Sequence, residues 1–383
     1  MNSYHHIKYN IEIFENTYKI DNINYQPDLI CEYYPSEFLE TNWIHSFCNS
    51  QIKKEIISSI LELKQKYSHI YVSLSGGVDS MVILYLAKQL GLNVSAIHIV
   101  YGNRDVSEQE LYFIKHYCVL LNVKLYYYRI NNLKRNEVER EFYEQITRDI
   151  RFAVYSHVIG ELPNACVILG HIRDDIVENI WTNFAKCQHL GNLKKMELEE
   201  EQMGIKLVRP FLEFEKKDIL NISQTFHIPY LKNTTPSWSN RGKFRESFYK
   251  STQDQFGSSV DSNIIKVAEI IRHQSHIIEK LIYNPILKSF NPINNSIDIT
   301  RAIEADINIG EWQYLIEKFC HEKLNIAKPS IHSVKQFVER LNKNNFNNNP
   351  IIRFQMKQSY QFIVTKLYNN NYLLSFHKLV VIV

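Results

Sequence analysis

The chain is poor in the residues that mark several special classes of protein. Its 383 residues include six cysteines (Cys31, Cys48, Cys118, Cys166, Cys187 and Cys320), and no two form a C-x-x-C pair. That absence removes the usual signatures of zinc ribbons and cysteine-ligated iron–sulfur clusters. Thiols scattered through apolar runs behave as small hydrophobes, and a reducing compartment is expected. No apolar run is long enough to span a bilayer and no signal-peptide pattern stands at the N-terminus, so a soluble cytoplasmic protein with no membrane partner is expected. Charge of one sign is lacking too. Against 44 basic residues stand 41 acidic ones, a balance that permits a nucleic-acid partner without arguing for one. Glycine is scarce, at 11 residues. Where two glycines stand together, a physical reason is expected.

What the chain does have is length and apolar content for two or three units, with 45% hydrophobic residues. Residues 1 to about 50 mix short β-like runs (9–14, 18–23) with polar turns and read as an appended layer. The stretch "IKKEIISSILELK" carries a helical apolar face. From residue 69 a rhythm begins. Strands are predicted over 70–74, 94–100, 123–128 and 165–169, separated by helices over 79–90, 107–121, 137–159 and 174–187. Alternation of this kind predicts an α/β fold, a parallel sheet with helices on both faces, whose ligands bind beyond the carboxyl ends of the strands. A charged stretch, "KKMELEEEQMG", precedes a strand over 205–208 and a helix beginning at "RPFLEFEKKDILNIS". A polar, basic connector (230–257), a helix (261–282) and a less regular α+β tail follow. The tail contains a helix (331–341) and a hairpin, "YQFIVTKLYNNNYLLSF". Expected boundaries are an N-terminal extension (1–66), the α/β domain (67–235), the connector with a helical linker (236–290) and the C-terminal region (291–383).

The glycine pair lies in "HIYVSLSGGVDSMVILYLAKQL", between a strand and a helix. Two glycines there let the backbone turn tightly and bring its N–H groups to an anion, beside the positive end of the helix dipole. Ser75, Gly76, Gly77, Val78, Asp79 and Ser80 therefore read as a phosphate cradle, with serine hydroxyls as donors and Asp79 as a Mg²⁺ ligand. The bland alternative is a strand–turn–helix joint capped by Asp79 or Ser80. Neither G-x-x-x-x-G-K-[ST] nor G-x-G-x-x-G is present.

A second cluster, "LGHIRDDIVENI", puts His171, Asp174, Asp175 and Glu178 at spacings of three and four, on one helix face just past the 165–169 strand. Asp175-x-x-Glu178 is also a capping box, which accounts for one or two acids but not for the histidine with three of them. In "TRDIRFAVY", Arg148 and Arg151 share a helix face. They could neutralise phosphate charge or merely pair with neighbouring acids, and Arg151 is the stronger candidate. "NTTPSWSNRGKFRESF" supplies Arg241 and Arg245 as further phosphate clamps.

These strings carry a resemblance. S-G-G-x-D-S resembles the PP-loop of the N-type ATP pyrophosphatases, whose fold is of the adenine nucleotide alpha hydrolase kind. "GHIRDDIVEN", R-x-x-R-F, "RPFL" and the Arg241/Arg245 pair resemble the segments of tRNA(Ile)-lysidine synthetases. The connector departs from that pattern: Asn233 stands where an aspartate is expected, and Gly242 where an asparagine is. The resemblance covers residues 68 to 255.

It implies an ATP-dependent ligase with Mg²⁺ and ATP as cofactors. Asp79, His171, Asp174 and Glu178, with the cradle and Arg241, would hold the nucleotide; Asp79 and Asp175 would hold Mg²⁺. Asp79, Arg151, His171, Asp175 and Arg245 would serve the chemistry. It implies an isoleucine tRNA anticodon loop and free lysine as partners, and leaves the oligomeric state open, a homodimer included. A cytosine would be adenylated at its C2 oxygen and then attacked by the lysine amine, with an acid such as Asp175 taking the proton. The alternatives are action on another base or with another nucleophile, tRNA thiolation among them, and a catalytically decayed nucleotide- or RNA-binding scaffold.

Overall fold

The computed structural model describes residues 12–14, 52–101, 107–130, 138–160, 162–186, 191, 193, 196–232, 240–257, 259–344, 346–357 and 359–379. The β-like run at 18–23, most of the expected N-terminal extension and Asn233 lie outside the described residues. The chain divides into two compact units, residues 1–179 with 195–263, and residues 180–194 with 264–383.

The first unit is built on a 7-stranded sheet of order β1-β4-β3-β2-β5-β7-β6. Its strands are β1 (Glu12–Phe14), β2 (His69–Ser73), β3 (Val94–Val100), β4 (Lys124–Arg129), β5 (Ala165–Ile168), β6 (Glu199–Gln202) and β7 (Ile205–Val208). The inner five run parallel, while β1 joins β4 and β6 joins β7 antiparallel. The predicted parallel sheet is therefore present with an antiparallel strand on each edge.

Side chains alternate across this sheet as the period of a strand requires. Ile70, Val72, Ala96, Leu125, Cys166 and Ile168 enter one core, while Tyr71, Ile97, Val167 and Leu207 enter another on the opposite face. The first core is covered by α1 (Lys54–Lys66), α2 (Val78–Gln89), α3 (Ser107–Leu120) and α6 (Lys216–Thr225). The second is covered by α4 (Arg140–Ile159) through Ile150, Phe152, Val154 and Tyr155. Ile56, Ile57, Ile60 and Leu63 bury α1 in the first core. That helix, expected in the N-terminal extension, thus packs as part of the α/β unit.

The acidic part of the charged stretch forms β6, a strand not expected from the sequence. A two-residue turn, Met203-Gly204 with φ +52° and +77°, reverses the chain into β7. Positive φ at both central residues is the twist that a tight hairpin needs. Residues 209–214, expected to open a helix, form turns instead; α6 starts only at Lys216, where Glu215 and Asp218 make a reciprocal capping box. The basic connector is helical: α7 (Asn240–Lys243) passes through a π-helical turn (Phe244–Phe248) into α8 (Tyr249–Phe256). Helix α9 (Val260–Ile278) follows.

The second unit is more regular than expected. After a π turn come α10 (Asn284–Lys288), β8 (Ser296–Asp298), α11 (Thr300–Glu304), α12 (Ile309–Lys318), α13 (Ile331–Lys343), β9 (Ile351–Lys357), β10 (Tyr360–Lys366) and β11 (Tyr372–Lys378). The strands form an antiparallel sheet of order β8-β11-β10-β9, which includes the predicted hairpin. Val334, Phe337, Val338 and Leu341 recur at helical spacing and bury one face of α13 in this unit's own core, beside Trp312 and Phe362.

Candidate active site

The parallel strands set the site's place. From β2 the chain moves outward through β3 and β4 on one side, whereas β5 and β7 lie on the other. The carboxyl ends of β2 and β5 therefore flank the point where strand order reverses, the ligand crevice of open α/β sheets.

The loop after β2 is the glycine-pair segment. Gly76 has φ +81°, where any side chain is strained, and a Cβ on it would also lie 2.9 Å from Leu231 Cδ1, so the backbone calls for glycine. The Leu231 N–H donates to the Gly76 carbonyl at 2.9 Å. Ser80 is buried, and its hydroxyl works inside the turn. It accepts from the Ser75 N–H (3.1 Å), lies 3.1 Å from Ser75 Oγ and donates to the Gly77 carbonyl at 3.0 Å. Ser80 thus braces the loop. Gly77 is the N-cap of α2 and supplies no side-chain cap. By helix geometry the N–H groups of Val78, Asp79 and Ser80 have no partner within α2. A braced turn at a helix N-terminus is the kind of arrangement that suits an anion. At its rim both carboxylate oxygens of Asp79 accept from Lys216 Nζ, at 2.9 and 2.8 Å.

The loop after β5 comes directly against this turn. A Cβ on Gly170 would lie 3.0 Å from Ser80 N and 3.3 Å from Ser80 Cα. A side chain here would force the Ser80 backbone to give way by a few tenths of an ångström, and the close approach seats the following segment beside the glycine-pair turn. That segment opens α5 (Arg173–Ala185), whose first turn carries Asp174 and Asp175. The Ile172 N–H donates to Asp175 Oδ2 at 2.9 Å, so Asp175 caps backward from the first turn and is not itself the N-cap of an Asp175–Glu178 box. It leaves Asp175 Oδ1 for the connector helix. Arg241 donates to Oδ1 in a short contact and Arg245 donates to it at 2.7 Å. The Nε groups of the same two arginines reach Glu178 Oε2, each at 3.2 Å. Spacings of three on α5 and four on the connector helix let the four charges interlock.

Environment sets these acids apart. Burial would raise Asp175, but the guanidinium of Arg241, then His171, Arg245 and the Ile172 N–H outweigh it and hold its carboxyl below the usual range. Asp174 is pushed up to about 6, first by burial and then by the charge of Asp175, with Asp261 adding to the effect. His171 is pushed down to about 4, chiefly by burial, with Arg209, Arg241 and Arg151 adding cationic repulsion against the attraction of Asp175. The Nε of Arg209 donates to His171 Nδ1 at 3.0 Å.

Arg151 lies on α4 with its guanidinium hydrogen-bonded to Tyr101 and within electrostatic reach of His171 and Arg241. Its Nε is buried without a partner among the described residues. Arg148, by contrast, is exposed and lies over the Phe152 ring at 5.8 Å. So the arrangement brings Asp79, Arg151, His171, Asp174, Asp175, Glu178, Arg241 and Arg245 to one end of the sheet. Two members had no role assigned from the sequence: Lys216, and Arg209, which was noted only as the first residue of "RPFL". Both sit in "VRPFLEFEKKDI", where each is one basic residue among several; their partners lie 137 and 38 positions away. Among the described residues no cluster of three or more metal-binding side chains occurs, and no helix is long and apolar enough to cross a membrane.

The sequence matches the family model described as the PP-loop domain over residues 48–247. Curated relatives include a tRNA(Ile)-lysidine synthase of Chlamydia muridarum, 31% identical over 56% of this chain and 66% of that protein. Another, from Chlamydia trachomatis serovar L2, is 28% identical over 55% of this chain and 64% of that protein. The match thus spans just under two thirds of these relatives' length. Among solved structures, a U34-tRNA thiolase of Methanococcus maripaludis is similar with a TM-score of 0.46 at 17% identity, covering 57% of this chain and 79% of that one.

Proposed function

The chain belongs to the PP-loop family, and from that premise we propose that it is an ATP-dependent ligase that attaches lysine to a cytidine of an isoleucine tRNA. The observation that carries this reading is the contact of the two loops at the switch point. Gly170 lets the backbone of the His171 segment meet the backbone of the cradle, so phosphate donors and a charged catalytic helix share one crevice. The names of the curated relatives supply the substrate class.

In this reading the N–H groups of residues 76–80 bind the phosphates of ATP. Mg²⁺ is held by one or two carboxylates together with substrate phosphates. Asp79 fits that role, because its counter-ion is a flexible lysine that can transfer to phosphate. Asp175, whose Oδ2 accepts the Ile172 N–H, is the second candidate. When bound, the ion would supply charge neutralisation on the phosphates. Arg151, Arg241 and Arg245 provide fixed positive charge where negative charge develops.

The cytosine C2 oxygen attacks the α-phosphorus and pyrophosphate leaves. The lysine ε-amine then attacks C2, loses a proton, and the C2–O bond breaks to release AMP. The base for that proton is better supplied by Asp174 than by Asp175. A carboxylate titrating near 6 holds a proton more readily than one clamped by two guanidinia. The second unit would carry the rest of the tRNA.

The test is ATP–pyrophosphate exchange with and without tRNA, followed by mass spectrometry of nucleosides from tRNA incubated with protein, ATP and lysine. Lysine-adducted cytidine is expected. Exchange without an adduct would move the assignment to another base or nucleophile, and ATP binding without exchange would leave only a scaffold.

A further inference from the structure

We propose that Arg209 is a positioning residue that locks His171 in a single neutral tautomer, with its proton on Nε2. A guanidinium has only donors and stays charged at any working pH. Its Nε–H points to His171 Nδ1 at 3.0 Å, so that nitrogen must present a lone pair. The proton of the neutral ring is then on Nε2.

Arg209 is itself held so that it cannot turn away. It is 5% exposed. One terminal nitrogen donates to the Glu197 carbonyl at 2.7 Å, and the other donates to Glu200 Oε1 at 2.5 Å. Its backbone N–H donates to the Leu198 carbonyl at 2.8 Å. All three anchors belong to the acidic run that enters and forms the edge strand β6, and Glu200 is paired in register with Leu207 of β7. The acidic hairpin thereby gains a purpose. It fixes a planar fork, the fork fixes a ring, and the ring presents one N–H donor. Such a donor can serve a phosphate oxygen or a base carbonyl as charge develops, without carrying charge itself.

This inference rests on the reading that His171 faces the nucleotide and base, but its first test does not. The full-length protein is labelled with ¹⁵N-histidine, and the His171 ring signals are identified by their loss in His171→Gln. The wild-type spectrum at neutral pH should show a protonated Nε2 and a bare Nδ1. Arg209→Met should give a mixture of tautomers. In ATP–pyrophosphate exchange, Arg209→Met should lower kcat by roughly 10–100-fold, the usual cost of losing an outer partner that orients a histidine. The double variant Arg209→Met/His171→Gln should be no slower than His171→Gln alone, because the arginine acts through the ring.

A proton on Nδ1 in the wild type, or additive losses in the double variant, would overturn the proposal. Should Arg209→Met fail to fold, Glu200→Gln loosens the fork without touching the ring, and it should broaden the same signals; unchanged signals count against the lock. Absence of any exchange by the wild type would defeat the functional reading, while the spectrum would still decide the tautomer.

Discussion

At the scale of single residues, the site shows how environment gives similar side chains different affinities for a proton. Asp174 and Asp175 are adjacent, yet one is raised to about 6 and the other is held low by arginines. Asp174 is raised on folding, so its favourable contribution is complete in acid and is lost as pH rises through about 6. Asp174→Asn should therefore raise Tm above that pH, with the gain fading as the pH falls toward the ordinary carboxylate value; calorimetry across pH measures it. If Asp174 is also the base, the variant should keep pyrophosphate exchange but form lysine adduct about 100-fold or more slowly. A lowered Tm at neutral pH, or full adduct formation, would reject the respective assignment. His171 works in the opposite direction: lowered on folding, it supports stability above its ordinary 6.5 and loses that support as pH falls toward about 4. Gly170 carries a different burden. With only 3.0 Å between its virtual Cβ and Ser80 N, Gly170→Ala must push two backbones apart. Titration calorimetry with a non-hydrolysable ATP analogue should show affinity reduced by about 10-fold or more; undiminished affinity would mean that the loops do not need this contact.

At the scale of elements, the connector helix and α5 form a charge lattice whose failure should be uneven. Asp175 is buried, while Arg241 and Arg245 are 42% and 37% exposed in their side chains. Either arginine alone can still satisfy the carboxylate. Arg241→Met and Arg245→Met should each cost little, whereas the double variant strands a buried charge. The double loss should exceed the sum of the single losses, reaching roughly 1–3 kcal/mol once screening of the exposed guanidinia is allowed for. Urea denaturation of the three variants decides it; strictly additive losses would show that the arginines do not share the acid. The same elements show what a sequence reveals and what it conceals. Val94–Val100 and Ile205–Val208 were legible to the residue because they are apolar runs at strand length. The edge strand β6 was not, since Glu199–Gln202 faces solvent on alternate residues and lacks the β-branched side chains that announce a strand. The helix after β7 begins later than its sequence suggests, because Phe211 and Leu212 are buried by the core even though their backbone turns. Asp175 and Glu178 stood out through helical spacing, whereas His171, expected on the same helix face, lies two residues before the helix begins. Lys216 did not stand out, and Arg209 showed only as part of "RPFL" without its partner, because both pair with residues far along the chain.

At the scale of the whole molecule, the two units have separate cores, one pair of clusters around the parallel sheet and one around the antiparallel sheet. Separate cores mean that damage to one need not reach the other. Phe362 is 0% exposed and has aromatic neighbours on several sides, with ring centroids 6.1 Å from Phe319, 6.4 Å from Phe337 and 5.8 Å from Tyr360. Replacing it by alanine removes a large buried ring from a close-packed cluster, which typically costs about 3–5 kcal/mol. Phe362→Ala should lower the unfolding temperature of the second unit by that equivalent. The affinity of the first unit for an ATP analogue should stay within about 2-fold, since the residues proposed to hold the nucleotide belong to the first unit. If the second unit supplies the tRNA surface, the stimulation of pyrophosphate exchange by tRNA should fall at temperatures where that unit has melted and the first has not. Nucleotide affinity that declined in step with the second unit's melting would show one cooperative body instead. Retained tRNA stimulation after melting would assign tRNA recognition to the α/β unit and its basic helix alone.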